Sequence, residues 1–362
     1  MKKATIGLLL ATMMTAGLAS PAMAETVLQL GTTVNEQDSF QVAAEKFAEL
    51  VEERTNGEYK IEIYPNGTLG GESDMLDSMS MDMLDMGIIT AGPFVNFSEM
   101  MGVLDMPFLF ANNEEAYKIL DGEIGKELLA TLEDAGLKGL AYAERGFRNI
   151  TNSVRPVTSA ADVEGLKLRV MENEVYTATF SALGVNAVPM AWAEALTAMQ
   201  QGTIEGEENP INVIFSYGLW DYNQKYVTLD RHSYSTAIIT MSLEKFNSLD
   251  EETQQIFLDA AKEAAEYERA WWPIRKPISC RLSRTTVLRL SRTRTSIPSA
   301  KRFSRFMTHI RSMQITLPAF RRLWHSKILS NRSISITGVF RGKYLGPEVF
   351  RPRSFHLEAW EV

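Results

Sequence analysis

Between residues 27 and 89, short apolar runs alternate with stretches of helical period, and this order most narrows the folds open to the chain. Residues 27–30 read as a strand. Residues 39–54 read as a helix carrying Phe40, Ala44, Phe47 and Val51 at helical spacing, with Asn56-Gly57 as its stop. Residues 59–64 alternate as a half-buried strand, 65–71 turn, 72–84 form a second helix and 85–89 a third strand. A strand–helix–strand–helix–strand order argues for a mostly parallel sheet covered by helices. The pattern returns with strands at 139–143 and 166–171 and helices at 176–183 and 192–201. Residues 243–271 then carry a long amphipathic helical pattern through Phe246, Ile256, Phe257, Ala260, Ala264 and Tyr267. The expected fold class is α/β with two lobes.

Charge divides the chain. Its formal net charge of -8 hides 18 Lys+Arg against 42 Asp+Glu before Pro273, and 19 against 3 from Pro273 onward. One globular chain rarely changes composition so sharply. The single cysteine, Cys280, lies in the basic part. The acidic part must therefore hold itself together by core burial alone. At the start, Met1-Lys2-Lys3, an apolar run over residues 4–18 and Ala22-Met23-Ala24 read as a secretory signal peptide cleaved after Ala24. That run is shorter than the roughly 20 residues a membrane span needs.

Motifs of catalysis do not occur: no G-x-S-x-G, no phosphate-binding loop with its Lys, no H-E-x-x-H. His232 is the one histidine before the basic tail, which disfavours a histidine-based metal site or triad. Met75, Met79 and Met83 lie four apart on one predicted helix face, with Met81 and Met86 nearby. Core packing explains them better than a soft-metal site. Arg169 is more telling, because it interrupts the apolar run Leu166-Lys167-Leu168-Arg169-Val170-Met171. A cation in a buried strand is costly unless paired. An internal acid and a ligand carboxylate gripped by the guanidinium fork are equally open partners.

Several runs occur in order: Tyr64-Pro65-Asn66-Gly67-Thr68-Leu69-Gly70-Gly71-Glu72, Leu104-Asp105-Met106-Pro107-Phe108, Gly146-Phe147-Arg148 with Thr151-Asn152-Ser153, Asp162-Val163-Glu164-Gly165-Leu166-Lys167-Leu168-Arg169-Val170, Ala182-Leu183-Gly184, Pro189-Met190-Ala191-Trp192 and Glu208-Asn209-Pro210. Together they resemble the solute-binding proteins of TRAP (tripartite ATP-independent periplasmic) transporters, the DctP family, over residues 27–271. The resemblance implies a two-lobed periplasmic-binding-protein fold with a hinge and an interlobe cleft. Lobe I would span 25–145 together with 235–272, and lobe II 146–234. It places the family's carboxylate-binding Arg at Arg169, a second Arg at Arg148, an Asn at Asn209 and an aromatic wall at Trp192. Thr33, Glu72 and Thr90 fall where members vary with their ligand. Members specific for nine-carbon sugar acids carry Asn and Glu at the positions of Thr33 and Thr90, so that ligand is disfavoured.

The implied function is periplasmic capture of a small organic acid, a sugar acid or a C4-dicarboxylate, for delivery to the small and large membrane permease subunits. No cofactor, metal, nucleic-acid partner or catalysis is expected. The alternative is an α/β enzyme acting on an organic acid. The basic tail, 273–362, does not match the family. Read in the frame one base earlier, Lys301–Ile315 permits an acidic, Tyr-rich ending, with Asp forced at Met307-Thr308 and Ala at Met313-Gln314. A frame change near Trp271 or Trp272 is therefore expected, with a tail that builds no native domain.

Overall fold

A computed structural model describes residues 25–274 and the pair 286–287. The signal peptide and the rest of the basic tail lie outside the described residues. Nine strands among the described residues form one sheet. They are β1 (Thr26–Gly31), β2 (Tyr59–Tyr64), β3 (Met86–Thr90), β4 (Leu137–Asn152), β5 (Lys167–Val170), β6 (Asn186–Pro189), β7 (Gly206–Pro210), β8 (Tyr226–Ser242) and β9 (Thr286–Val287). The helices are α1 (Ser39–Arg54), α2 (Glu72–Ser80), α3 (Asn113–Leu120), α4 (Glu123–Ala130), α5 (Glu174–Ala182), α6 (Trp192–Gln201), α7 (Ile211–Ser216), α8 (Leu243–Ser248) and α9 (Glu251–Ile274).

Local chemistry sets many of these bounds. Asp38 opens α1 by accepting the Phe40 N–H at 3.1 Å. The helix then buries Phe40, Ala43, Ala44, Phe47, Leu50 and Val51 on one face and ends before Asn56 and Gly57, both at positive φ. The second helix stops at Ser80, four residues short of the expected Leu84, because Asp82 turns into the left-handed region at φ 55°. Met75, Met79 and Met86 are accordingly in the core, whereas Met81 and Met83 are exposed. The helix expected over 243–271 is two. Leu249 is extended, and Asp250 begins α9 afresh by accepting the Thr253 N–H at 2.9 Å.

The sheet order is β2-β1-β3-β8-β4-β7-β5-β6, with β9 beside β8. It is mixed, not mostly parallel. Pairs are parallel towards both ends (β1–β2, β1–β3, β5–β6, β5–β7) and antiparallel where β8 meets β3 and β4, and where β4 meets β7. The cause is the length of β4 and β8, of which the sequence pattern marks only residues 139–143. Buried on nearly every residue, these two strands lack the polar–apolar alternation of a half-buried strand.

Their ladder passes through both halves of the molecule. Two buried apolar clusters draw on residues 28–143 and 234–265, and two others on 150–229. The molecule thus has the expected two lobes, each with its own core, threaded by a shared strand pair. The pair is irregular between the cores: its register shifts between Glu144 and Gly146 and again between Arg148 and Ile150, and Gly146 has φ 100°. Phe108, at φ 58°, leaves the first lobe to pack on the second lobe's core while its N–H donates to the His232 carbonyl at 2.8 Å.

Candidate functional site

Past the irregular stretch, β4, β7 and β5 lie side by side and carry Arg148, Asn209 and Arg169. All three are almost wholly buried. Successive side chains on a strand face opposite sides. On β7 this sends Glu207 and Glu208 apart and puts Asn209 beside Glu207, whose Oε2 accepts from the Asn209 amide. Glu207 also accepts the Thr151 hydroxyl at 3.0 Å.

The two arginines differ in partnership. Arg148 grips Glu208 with both Nε and a terminal nitrogen, the latter 2.8 Å from Oε1, and lies 5.5 Å from the Tyr176 ring centroid. His232 adds Nε2 to the same carboxylate at 3.1 Å and holds Asp230 through Nδ1 at 2.9 Å. Burial alone would lower the Arg148 guanidinium, but Glu208 outweighs it and holds the charge firmly on. Burial would raise Glu208, yet Arg148 and His232 keep it below the ordinary carboxylate range. Burial opposes the imidazolium, but Asp230 and Glu208 push His232 up to about 9, so it is charged at neutral pH.

Arg169 has no such acid. Its Nε donates to the Met190 carbonyl at 2.8 Å and its guanidinium lies 5.8 Å from the Trp192 ring centroid, and it forms no ion pair among the described residues. Burial lowers it, and the fields of Glu208, Glu207 and Glu72 only partly offset that. Burial and the neighbouring Glu208 push Glu207 up to about 7. Buried Asp105, 2.8 Å from the Asn173 amide, is likewise pushed up to about 7.

The remaining expected residues converge on the same place. Trp192 opens α6, and Glu72 opens α2 at Gly71, which approaches Ala191 from the other lobe. The Glu72 carboxylate accepts the Thr90 N–H at 3.0 Å and the Thr90 hydroxyl, so these two are partners, not separate walls. Thr33 lies in the loop after β1, where its carbonyl accepts the Tyr217 hydroxyl at 3.3 Å. Arg148 reached the site already paired inside the protein. Glu207, Glu208, Asp230, His232 and Tyr217 received no role from the sequence. The adjacent acids in Glu207-Glu208-Asn209-Pro210 were a signal, since two ions in a strand between buried strands need partners. No group of three or more His, Cys, Asp or Glu among the described residues is arranged to hold a metal ion, and none of their helices is long and apolar enough to cross a membrane.

Comparison with known proteins points the same way. Residues 30–275 match the family described as bacterial extracellular solute-binding protein, family 7 (DctP), which stops where the charge of this chain reverses. The 2,3-diketo-L-gulonate-binding periplasmic protein YiaO of Escherichia coli is 38% identical over 254 residues, 70% of this chain and 77% of that protein. A solute-binding protein of Verminephrobacter eiseniae is 40% identical over 249 residues, 69% and 74% of the two chains. The structure superposes on a TRAP periplasmic solute-binding protein of Roseobacter denitrificans with bound L-galactonate, with a TM-score of 0.74, 29% identity, and 88% and 98% of the chains covered. A Polaromonas counterpart bound to D-erythronate gives a TM-score of 0.72 at 31% identity, covering 84% and 97%. A periplasmic family of transport proteins, two cores threaded by one strand pair, and converging buried arginines lead to one conclusion: the chain belongs to the DctP family and is a TRAP-type solute-binding protein.

Proposed function

We propose that the chain captures a small sugar acid between its lobes, with the carboxylate seated on Arg169. The observation that carries this reading is the contrast between two buried guanidiniums: Arg148 is neutralised by Glu208, whereas Arg169 is paired with no acid among the described residues. A buried cation without a counter-ion is costly, and a ligand carboxylate bound through two parallel N–H···O bonds supplies one. Trp192 forms an apolar wall beside it, the Arg148 guanidinium and the Asn209 amide add further donors for the carboxylate, and Glu72 with Thr90 and Thr33 line the opposite lobe as acceptors and donors for ligand hydroxyls. That similar proteins hold L-galactonate, D-erythronate and 2,3-diketo-L-gulonate supports a sugar acid ahead of a C4-dicarboxylate.

The division into 25–145 with 235–272, and 146–234, has its hinge at the Gly146↔Ser235 pair, where the register breaks. The mature chain begins at Glu25 after export, delivers its ligand unchanged to the membrane permease subunits, and catalyses nothing. The reading frame changes near Trp271 or Trp272, which explains why the family match and the acidic composition end together. Sequencing the coding DNA tests this, and a single uninterrupted frame shared with intact relatives through codon 300 contradicts it.

Calorimetry with aldonates, uronates and C4-dicarboxylates tests the ligand class. Arg169→Lys should weaken sugar-acid binding by about 1.5–3 kcal/mol, because a point charge cannot reproduce the fork, while far-UV circular dichroism stays unchanged. Undiminished affinity in that variant would sink the seat assignment. Any turnover of the ligand would favour the enzyme instead.

A further inference from the structure

The loop between β1 and α1 is fastened to its own lobe from several sides. Thr32 N–H donates to the Tyr64 carbonyl at 3.0 Å, Asn66 N–H to the Val34 carbonyl at 2.8 Å, and Asp38 N–H to the Asn35 carbonyl at 3.0 Å. Arg145, at the irregular stretch of β4, holds Asp38 in an almost completely buried ion pair at 2.6 Å. Such a loop is a rigid fixture, not a flap.

Tyr217 reaches it from the other lobe. It caps the C-terminal end of α7, the helix that follows directly on the site strand β7. Its hydroxyl donates to the Thr33 carbonyl at 3.3 Å and accepts the Asn35 N–H at 3.1 Å. Its ring stands edge-on to Trp192, with centroids 5.1 Å apart and planes at 85°. Trp192 is in turn the aromatic neighbour of Arg169 at 5.8 Å. Contacts therefore run without a break from Arg145 at the strand irregularity through Asp38 and its loop to Tyr217, Trp192 and Arg169.

We propose that Tyr217 is a cross-lobe positioning residue: its hydroxyl fastens the Trp192 wall to the Thr33–Asn35 backbone, and so sets how long a ligand seated at Arg169 stays. The proposal rests on Arg169 being the carboxylate seat. Two backbone bonds made by one hydroxyl exist only while the lobes are together, so they oppose opening. The latch acts on dissociation. Backbone acceptors and donors make it indifferent to the side chain at position 33, so it works for whichever sugar acid the cleft accepts.

Tyr217→Phe in the full chain removes the hydroxyl and keeps the ring against Trp192. Two readouts are needed. In amide hydrogen exchange without ligand, Asn35 should lose protection while Asn66, bonded within the same loop to Val34, keeps its own. In stopped-flow tryptophan fluorescence with L-galactonate, the dissociation rate should rise roughly threefold to tenfold, the range of one neutral hydrogen bond of full strength or two weak ones. Trp192→Phe combined with Tyr217→Phe should be non-additive in dissociation rate. Unchanged Asn35 exchange, or an unchanged dissociation rate, would refute the latch. A wild-type chain that binds neither L-galactonate nor any other sugar acid refutes the proposed ligand class instead, and the exchange of Asn35 then decides the latch alone.

Discussion

The face of the sheet beneath α1 and α9 and the strip formed by β4, β7 and β5 are equally buried and chemically opposite. The first is hydrocarbon: Leu28, Leu30, Phe47 and Phe257, the last edge-on to Phe47 with centroids 6.0 Å apart. The second, with the adjoining part of β8, buries Arg148, Arg169, Glu207, Glu208, Asp230 and His232 to a similar degree. Apolar burial stabilises in proportion to area and asks little of geometry. Buried ions recover their desolvation cost only in good geometry, and replacing them with apolar groups is often neutral or stabilising. The first region holds the lobe together. The second is organised around charge that apolar packing alone would not need, and the proposed seat of a ligand ion rests on that difference.

Removing one member from each region tests the contrast. Phe257→Ala should destabilise by about 3–5 kcal/mol through the cavity it leaves. Glu208→Ala should cost a similar amount, about 3–5 kcal/mol, because it leaves Arg148 and His232 as buried cations. Denaturant titration measures both. The difference should appear in ligand affinity below the unfolding range, kept in Phe257→Ala and lost in Glu208→Ala. Equal affinity in the two would erase the distinction.

Acidity provides a finer test. His232 is held at about 9 in the fold, above its ordinary value of about 6.5. Its contribution is complete below about pH 6.5 and is lost as pH rises through about 9. Asp105 and Glu207, held at about 7, keep protons that the unfolded chain releases near pH 4, so they too make stability fall as pH rises from about 4 to 7. Unfolding free energy should therefore drop by about 3 kcal/mol or more between pH 5 and pH 9. Glu207→Gln should flatten the acidic limb at a cost within about 1 kcal/mol, and Phe257→Ala should leave the slope alone. A flat profile in the wild type would show that the strip does not hold its protons as described.

The legible parts of the fold were those governed by short-range rules. The helical period of residues 39–54, capped by Asp38 and stopped by Asn56-Gly57, became α1 at the expected bounds, and residues 192–201 became α6. Helix lengths failed where one capping side chain or one left-handed residue overrode the apolar period, at Asp250 and Asp82. The long strands β4 and β8 escaped because, buried throughout, they show neither alternation nor helical period.

By its own patterns the sequence determined an α/β chain in two lobes, an acidic folded part ending where a basic tail begins, and a set of motifs shared with one transport family. It also marked Arg169 as a cation out of place in an apolar strand, but left its partner open. Only the tertiary structure showed that Arg169 forms no ion pair among the described residues. Cross-strand pairing of β4 with β7, 60 residues apart in the chain, set Glu208 against Arg148, and the alternation of β7 turned Glu207 away. Which guanidinium pairs with an internal acid and which forms no ion pair among the described residues depends on register, and register is a property of two strands together.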